Sequence, residues 1–233
     1  MLEEAIILAG GLGTRLKNVV SDRPKPMALV NNRPFLEYIL EFLEAFNIKN
    51  VILSVGYKKE YIKNYFGNYY KSLNIYYSEE DEPLGTGGAI KKALRLTKTK
   101  DIIILNGDTY FDINLRSFYD FHMEKQSLLT MALKYMKDFN RYGTVNMGED
   151  GKITGFEEKG AKNIGLINGG IYLINKGLEK DLNNFPDKFS FERDFLEKLV
   201  GKKSFYGVPF EGYFIDIGVP EDYEKAQHEL KSR

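Results

Sequence analysis

The chain has 233 residues with 33 Lys and Arg, 33 Asp and Glu, two His and no Cys, so its formal net charge at pH 7 is zero. The absence of cysteine excludes disulfides, thiolate nucleophiles and sulfur-liganded zinc sites, and the scarcity of histidine predicts that any catalytic metal has oxygen ligands. Zero net charge and the lack of a long apolar run predict a cytoplasmic protein that binds neither nucleic acid nor membranes.

The first half of the chain alternates short apolar runs with stretches whose apolar residues recur at helical spacing. These patterns predict strands at residues 5–8, 51–55, 74–77 and 102–105, helices at 34–46 and 59–66, and a glycine-rich turn at 84–88 followed by a helix to about residue 96. Strands separated by helices form βαβ units, which join parallel strands. The pattern therefore predicts an α/β fold with a Rossmann-like, mainly parallel sheet flanked by helices.

The second half of the chain is richer in predicted strands. Its patterns predict helices at 114–125, 191–200 and 220–230, strands at 128–134, at 164–174 and within 205–217, and a hairpin turn at 148–151. No linker rich in Ser or Pro separates the halves, so residues 1–233 are expected to form one domain with a small inserted β-rich part. Helical spacing predicts that a group of aromatic residues packs in the core, with a homodimer face as the alternative: Tyr61, Tyr65, Phe66, Tyr69 and Tyr70.

A glycine loop follows the first predicted strand. Residues 8–16 read LAGGLGTRL, and residues 24–27 read PKPM. Glycines let backbone N–H groups approach phosphate oxygens, and Arg15 and Lys25 supply positive charge, so this segment is predicted to bind an oligophosphate. A Walker loop is excluded because Gly13 is followed by Thr14 and Arg15, and a dinucleotide fingerprint does not fit because its third glycine would fall at Leu16.

These residues resemble the signature of the sugar-1-phosphate nucleotidylyltransferases. Further segments resemble the same family: residues 83–88 (PLGTGG), 106–108 (NGD), 156–159 (FEEK), 168–170 (NGG) and 213–220 (YFIDIGVP). The resemblance implies the nucleotide-diphospho-sugar transferase fold, with a nucleotide-binding half at about 1–110 and a sugar-phosphate-binding half at about 111–233. Several segments are most similar to the D-glycero-α-D-manno-heptose 1-phosphate guanylyltransferases, whereas mannose-1-phosphate guanylyltransferases usually have Ala at the position of Gly87.

The resemblance implies transfer of GMP from GTP to a sugar 1-phosphate, heptose 1-phosphate being favoured, with Mg²⁺ as cofactor, for surface glycan synthesis. The residues implied to bind the nucleotide are Leu8, Ala9, Gly10, Gly11, Gly13, Thr14, Arg15, Lys25, Glu80, Gly85, Thr86, Gly87, Gly88 and Asp108. Those implied to bind the sugar phosphate are Gly107, Gly143, Glu157, Lys159, Asn168 and Gly169. Asp108 and Asp216 are assigned to the metal, and Arg15 and Lys25 complete the catalytic set.

The scarcity of histidine fits this chemistry. A phosphate monoester has a second pKa of about 6, so the attacking sugar phosphate is already ionised and needs no general base. Catalysis is then expected to consist of alignment and charge neutralisation. Arg15 is assigned to the departing β- and γ-phosphates, Lys25 to the α-phosphate and Lys159 to the sugar phosphate, while Glu80 is a candidate acceptor for the guanine N–H groups.

Two other functions remain open from the sequence. One is a mannose-1-phosphate guanylyltransferase or another nucleotidylyltransferase with a different sugar. The other is a sensing subunit that binds nucleotide sugars without catalysis, although the presence of Arg15, Lys25, Asp108 and Asp216 argues against it.

Overall fold

The computed structural model describes residues 2–11, 13, 16, 20, 22–158 and 160–230. The predicted site residues Thr14, Arg15 and Lys159 lie outside these residues. Strands are β1 (Glu4–Leu8), β2 (Leu29–Val30), β3 (Arg33–Pro34), β4 (Asn50–Val55), β5 (Tyr69–Tyr70), β6 (Leu73–Glu79), β7 (Asp101–Asn106), β8 (Thr109–Phe111), β9 (Leu129–Phe139), β10 (Thr144–Met147), β11 (Ile153–Glu157), β12 (Lys162–Asn175), β13 (Phe205–Phe210) and β14 (Phe214–Asp216). The α-helices are α1 (Phe35–Ala45), α2 (Lys59–Phe66), α3 (Gly85–Leu94), α4 (Leu115–Glu124), α5 (Glu179–Leu182), α6 (Glu197–Leu199) and α7 (Pro220–Glu229), and a π-helical segment, Phe191–Leu196, precedes α6.

Ten strands of the described residues form one mixed sheet. Its centre has the order β7-β1-β4-β6 with all neighbours parallel, so that Ile6 of β1 lies between Ile52 of β4 and Ile104 of β7. The long strand β12 pairs antiparallel with β7 and β9, and β13 pairs parallel with β9. The predicted mainly parallel α/β fold is confirmed, and the strands of the second half extend the same sheet.

The sheet is apolar on both faces, which is why its central strands are continuous apolar runs. Successive residues of β1 point to opposite faces: Ile7 packs in the core beneath α1, and Ile6 packs in the core beneath α3. Both side chains are fully buried. The parallel strands therefore have fixed register and direction, and their carboxyl ends meet at one edge of the sheet.

A short ribbon outside the sheet was not predicted. Strand β8 pairs antiparallel with β14, and Thr109 lies opposite Asp216. The Ile217 N–H donates to the Asp108 carbonyl at 3.0 Å and continues this pairing. The ribbon therefore brings residues from distant parts of the chain to the carboxyl end of β7.

The core-packing prediction is wrong for three of the tyrosines. Tyr61, Tyr65 and Tyr69 are 39%, 51% and 72% exposed, whereas Phe66 is buried. In α2 the buried residues are Ile62 and Phe66, which are four positions apart, so a narrow stripe of this helix contacts the core.

Among the described residues, none of the helices combines the length and apolarity needed to cross a bilayer.

Candidate active site

Three predicted catalytic side chains meet at the carboxyl ends of the parallel strands. The Lys25 Nζ lies 2.6 Å from the Asp108 Oδ2 and 3.8 Å from the Asp216 Oδ1. Asp108 lies two residues after the end of β7, and Asp216 is brought beside it by the β8–β14 ribbon. Residues separated by about 190 positions in the chain thus form one charged cluster, as the sequence predicts.

The surrounding backbone holds Lys25 in place. Lys25 begins a 3₁₀ turn, Lys25–Met27, whose next two residues, Pro26 and Met27, are buried. Gly13 has φ +60°, and a Cβ on it would lie 3.0 Å from the Lys25 Cβ, so glycine there permits both the turn and the close approach of the lysine stem. The lysine side chain is 10% exposed. Its ammonium is therefore anchored at the carboxylates.

The environment of Asp216 raises its pKa above the usual value. Burial raises the pKa of Asp216, repulsion from Asp108 raises it further, and the Lys25 ammonium and the Gly218 N–H oppose both effects. The Gly218 N–H donates to the Asp216 Oδ1 at 2.8 Å. Two neighbouring carboxylates at a polar cavity suit a hard divalent cation, which takes oxygen ligands. No cluster of three or more His, Cys, Asp or Glu suited to a metal occurs among the described residues, so such a cation would need further oxygens from substrate or water.

A small cavity of about 170 Å³ opens beside this cluster. Its lining includes five of the predicted nucleotide-binding residues: Leu8, Gly11, Gly13, Lys25 and Asp108. Pro26 and Gly218 complete the wall. The glycine loop, the lysine and a carboxylate therefore face one common space, as an oligophosphate site requires.

Glu80 is buried and does not line this cavity. Its Oε1 accepts from the Ser54 Oγ at 3.0 Å, and its Oε2 accepts from the Leu84 N–H at 3.1 Å. A Cβ on Gly10 would lie 2.7 Å from the Glu80 Oε1, so the glycine loop packs closely against the carboxylate. Glu80 therefore links β4, the glycine loop and the beginning of α3, and its contact with guanine stays a prediction.

The sequence predicts a separate turn at 84–88, but in the structure Leu84 is the N-cap of α3 and residues 85–88 form the first turn of this helix. Gly85, Gly87 and Gly88 pack against residues 187–189, where side chains on them would collide with Asp187 or Phe189. The Thr86 Oγ1 donates to the Glu192 Oε2 at 2.6 Å and accepts from the Phe191 N–H at 2.9 Å. These residues contact the second half of the chain, and their role in base binding stays a prediction.

This packing gives a stability prediction for Gly87. Gly87→Val would place methyl groups in the volume of the Phe189 ring, and overpacking of this kind costs about 1–3 kcal/mol. We expect urea unfolding to show a free energy of unfolding lowered by that amount. The matched control is Gly155→Val in β11, because a Cβ there has no neighbour within 4 Å. Equal stability of the two variants would contradict the close contact.

A second, larger cavity of about 710 Å³ lies on the other side of the charged cluster. It is lined by predicted residues of both sets: Asp108, Gly143, Glu157, Asn168 and Asp216. The Lys162 ammonium, 2.5 Å from the Glu157 Oε2, holds the pKa of Glu157 at about 2, so this carboxylate is ionised and accepts hydrogen bonds at neutral pH. Asp108 belongs to the walls of both cavities.

Some predicted residues do not line either cavity. Gly169 is buried, and a Cβ on it would lie 2.5 Å from the Phe111 ring, while Gly170 beside it lines the larger cavity. Gly107 packs beneath the Leu8 carbonyl, which accepts its N–H at 3.0 Å, and Ala9 is buried. These residues shape the strand ends, and a direct contact with substrate stays a prediction for each.

Comparison with known proteins identifies the family. The nucleotidyl transferase family model matches residues 4–233. The chain belongs to the nucleotidyl transferase family. The D-glycero-alpha-D-manno-heptose 1-phosphate guanylyltransferase of Aneurinibacillus thermoaerophilus is 54% identical over 228 residues, which cover 98% of each chain. That of Campylobacter jejuni is 52% identical over 220 residues, which cover 94% of this chain and 96% of the relative.

A solved structure is also similar to this chain. The crystal structure of HddC from Yersinia pseudotuberculosis complexed with GMP-PN has a TM-score of 0.87 and 40% identity, and the match covers 99% of this chain and 100% of that chain. The predicted family and the predicted fold are therefore confirmed.

Several residues of this nucleotidyl transferase were missed by sequence reasoning although they line the larger cavity: Arg141, Tyr142, Tyr172, Glu192 and Arg193. Arg141 forms an ion pair with Asp222 of α7, which ties the loop after β9 to the C-terminal helix. Four of them stand in segments without a recognisable motif, and Tyr172 stands two residues after the NGG segment at 168–170. Their only signal in sequence is a charged or aromatic residue within or beside a predicted strand or helix, which is common on ordinary surfaces.

Proposed function

We propose that the chain transfers GMP from GTP to D-glycero-α-D-manno-heptose 1-phosphate, giving GDP-heptose and pyrophosphate. The observation that carries the proposal is the Lys25, Asp108 and Asp216 cluster, which lies between a small cavity at the glycine loop and a larger cavity lined by Glu157 and Asn168. The identity of 54% and 52% over nearly the full length of two guanylyltransferases supports GTP and heptose 1-phosphate as substrates.

The proposed roles follow from this placement. The small cavity and the first half, about 1–110, would bind the nucleotide, and the larger cavity and the second half, about 111–233, would bind the sugar phosphate. A non-bridging oxygen of the sugar 1-phosphate attacks the α-phosphorus of GTP, and the bond between the α-phosphorus and the bridging oxygen breaks as pyrophosphate leaves. The nucleophile is ionised at neutral pH, so no residue needs to remove a proton.

Charge neutralisation is the task left to the chain. We assign Asp108 and Asp216 to a Mg²⁺ ion, which when bound would neutralise phosphate charge between the substrates. Lys25 would contact the α-phosphate, where charge accumulates in the transition state. Arg15 and Lys159 are proposed for the departing pyrophosphate and the sugar phosphate. We also propose that the reaction takes place in the cytoplasm, and the homodimer stays a prediction from sequence.

The direct experiment measures pyrophosphate release with Mg²⁺, each of the four nucleoside triphosphates, and heptose 1-phosphate, mannose 1-phosphate or glucose 1-phosphate. We expect the highest kcat/KM with GTP and heptose 1-phosphate. A preference for UTP or dTTP would overturn the nucleotide, and a preference for mannose 1-phosphate would overturn the sugar. Binding of nucleotide without turnover of any sugar would support a sensing subunit instead.

A further inference from the structure

Two side chains of the larger cavity have no part in the reaction above. Tyr172 is fully buried in β12, and Glu192 belongs to the π-helical segment. The Tyr172 hydroxyl accepts from the Asn168 Nδ2 at 2.7 Å and lies 3.2 Å from the Glu192 Oε1. Tyr172 therefore connects Glu192 with the residue that is expected to bind the sugar.

The hydrogen bonds in this chain of contacts run in one direction. The Asn168 amide nitrogen can only donate, so the Tyr172 oxygen accepts from it and the Tyr172 hydroxyl hydrogen is left to donate to the Glu192 Oε1. The other Glu192 oxygen accepts from the Thr86 Oγ1 at 2.6 Å and the Ser190 Oγ at 3.1 Å.

The orientation of the Asn168 amide is fixed from both sides. Its Nδ2 donates to Tyr172, and its Oδ1 accepts from the Gly170 N–H at 2.9 Å. A flipped amide would place a donor against the Gly170 N–H. One N–H and one lone pair of Asn168 remain for a ligand in the cavity, and a sugar hydroxyl can pair with both.

The backbone between Asn168 and Tyr172 is built to bring them together. Residues four positions apart in a regular strand are about 13 Å apart, yet these two side chains are in contact. The pairing of β12 with β9 shifts register between them, and Gly170 within this bulge has φ +73°. Bulges commonly redirect a side chain beside a site.

Packing accounts for the Tyr172 ring and leaves its hydroxyl unexplained. The ring meets Phe191 edge to face with centroids 5.4 Å apart, a contact that phenylalanine would also make. A buried hydroxyl is costly unless it is hydrogen-bonded, so Tyr at this position indicates a use for the oxygen.

We infer that Tyr172 and Glu192 are positioning residues, which hold the Asn168 amide so that it presents one donor and one acceptor to the sugar of the sugar 1-phosphate. The inference rests on the proposed function, because it requires a sugar 1-phosphate in the larger cavity. It also gives a role to the Thr86 and Ser190 hydroxyls, which donate hydrogen bonds to Glu192 and so help to hold it beside Tyr172.

The test is Tyr172→Phe, which removes the oxygen and keeps the ring. Loss of the hydrogen bond that orients Asn168 predicts a KM for the sugar 1-phosphate raised about three- to tenfold, with the KM for GTP unchanged within about twofold. In an Asn168→Ala background, the same change should have no further effect on the sugar KM, since the residue being positioned is gone. Glu192→Gln provides a second variant, and it should also raise the sugar KM because an amide permits Tyr172 to reverse its hydrogen bond.

Tyr38→Phe is the matched control. Tyr38 is also buried, its hydroxyl donates to the Val30 carbonyl at 3.1 Å, and it lines neither cavity. The Tyr38→Phe substitution should lower the free energy of unfolding and leave the KM for the sugar 1-phosphate unchanged. The inference is overturned if Tyr172→Phe leaves the sugar KM at the wild-type value, or raises it equally with and without Asn168. If the wild-type protein rejects heptose 1-phosphate, the proposed function fails, and the same comparison is made with the sugar 1-phosphate that it accepts.

Discussion

Asp216→Asn is expected to lower kcat for pyrophosphate release by ~10²- to 10³-fold, because loss of one preorganised charged group at a reacting centre has an effect of this size. The Asp216 Oδ1 lies 3.8 Å from the Lys25 Nζ, and the substitution preserves the shape of the side chain. Asparagine can still accept from the Gly218 N–H, so the local backbone should be retained. The measurement is the initial rate at saturating GTP and sugar 1-phosphate over a series of Mg²⁺ concentrations.

The matched control for this substitution is Asp181→Asn. Asp181 also accepts from a lysine, with its Oδ1 2.8 Å from the Lys203 Nζ, and it lines neither of the two cavities. The kcat of the Asp181→Asn variant should equal that of the wild type. Near-wild-type kcat for Asp216→Asn at any Mg²⁺ concentration would remove Asp216 from the proposed metal site.

Lys25→Met should lower kcat by about 10²-fold while changing the KM for GTP much less, because an interaction that strengthens in the transition state affects turnover and not ground-state binding. Methionine preserves much of the stem that packs on Gly13 and removes the charge. Without the ammonium, Asp108 and Asp216 repel each other more strongly, and the pKa of Asp216 should rise further.

Lys203→Met is the corresponding control, since it removes the other member of the remote ion pair. Thermal unfolding of both variants separates a loss of stability from a loss of catalysis. If Lys25→Met changes the KM for GTP and leaves kcat intact, Lys25 binds the ground state, and the proposed contact with the α-phosphate in the transition state is wrong.

The parallel part of the fold was predictable because its strands are buried on both faces. Continuous apolar runs such as residues 102–105 therefore stand out in the sequence, and the helix predicted at 59–66 has those bounds in the structure. The β8–β14 ribbon could not be predicted in the same way. Strand β8 has three residues, and its pairing with a segment about 100 residues later is determined by tertiary structure.

Site residues can be predicted from the sequence where the backbone conformation restricts the residue types and so produces a recognisable motif. Gly13 and Lys25 are examples, since a positive φ and a close lysine stem restrict what the sequence can contain. Tyr172 and Glu192 were missed because their interaction depends on a bulge and a π-helical segment, and neither has a strict residue pattern. The exposed tyrosines of α2 were mispredicted because helical spacing shows which residues share a face and does not show how wide the buried face is.

Asp108 belongs to the walls of both cavities, and this has a consequence for ligand design. Two ligands that meet at one carboxylate can be joined by a short bridge without leaving their own sites. A guanosine unit linked to a sugar through a phosphate-like bridge would convert the second binding event into an intramolecular one, so its affinity should exceed that of either fragment by far more than their added contacts suggest. A neutral bridge would leave the Asp108 carboxylate paired with the Lys25 ammonium. The charge of the bridge is therefore the first property to vary in a series of such ligands.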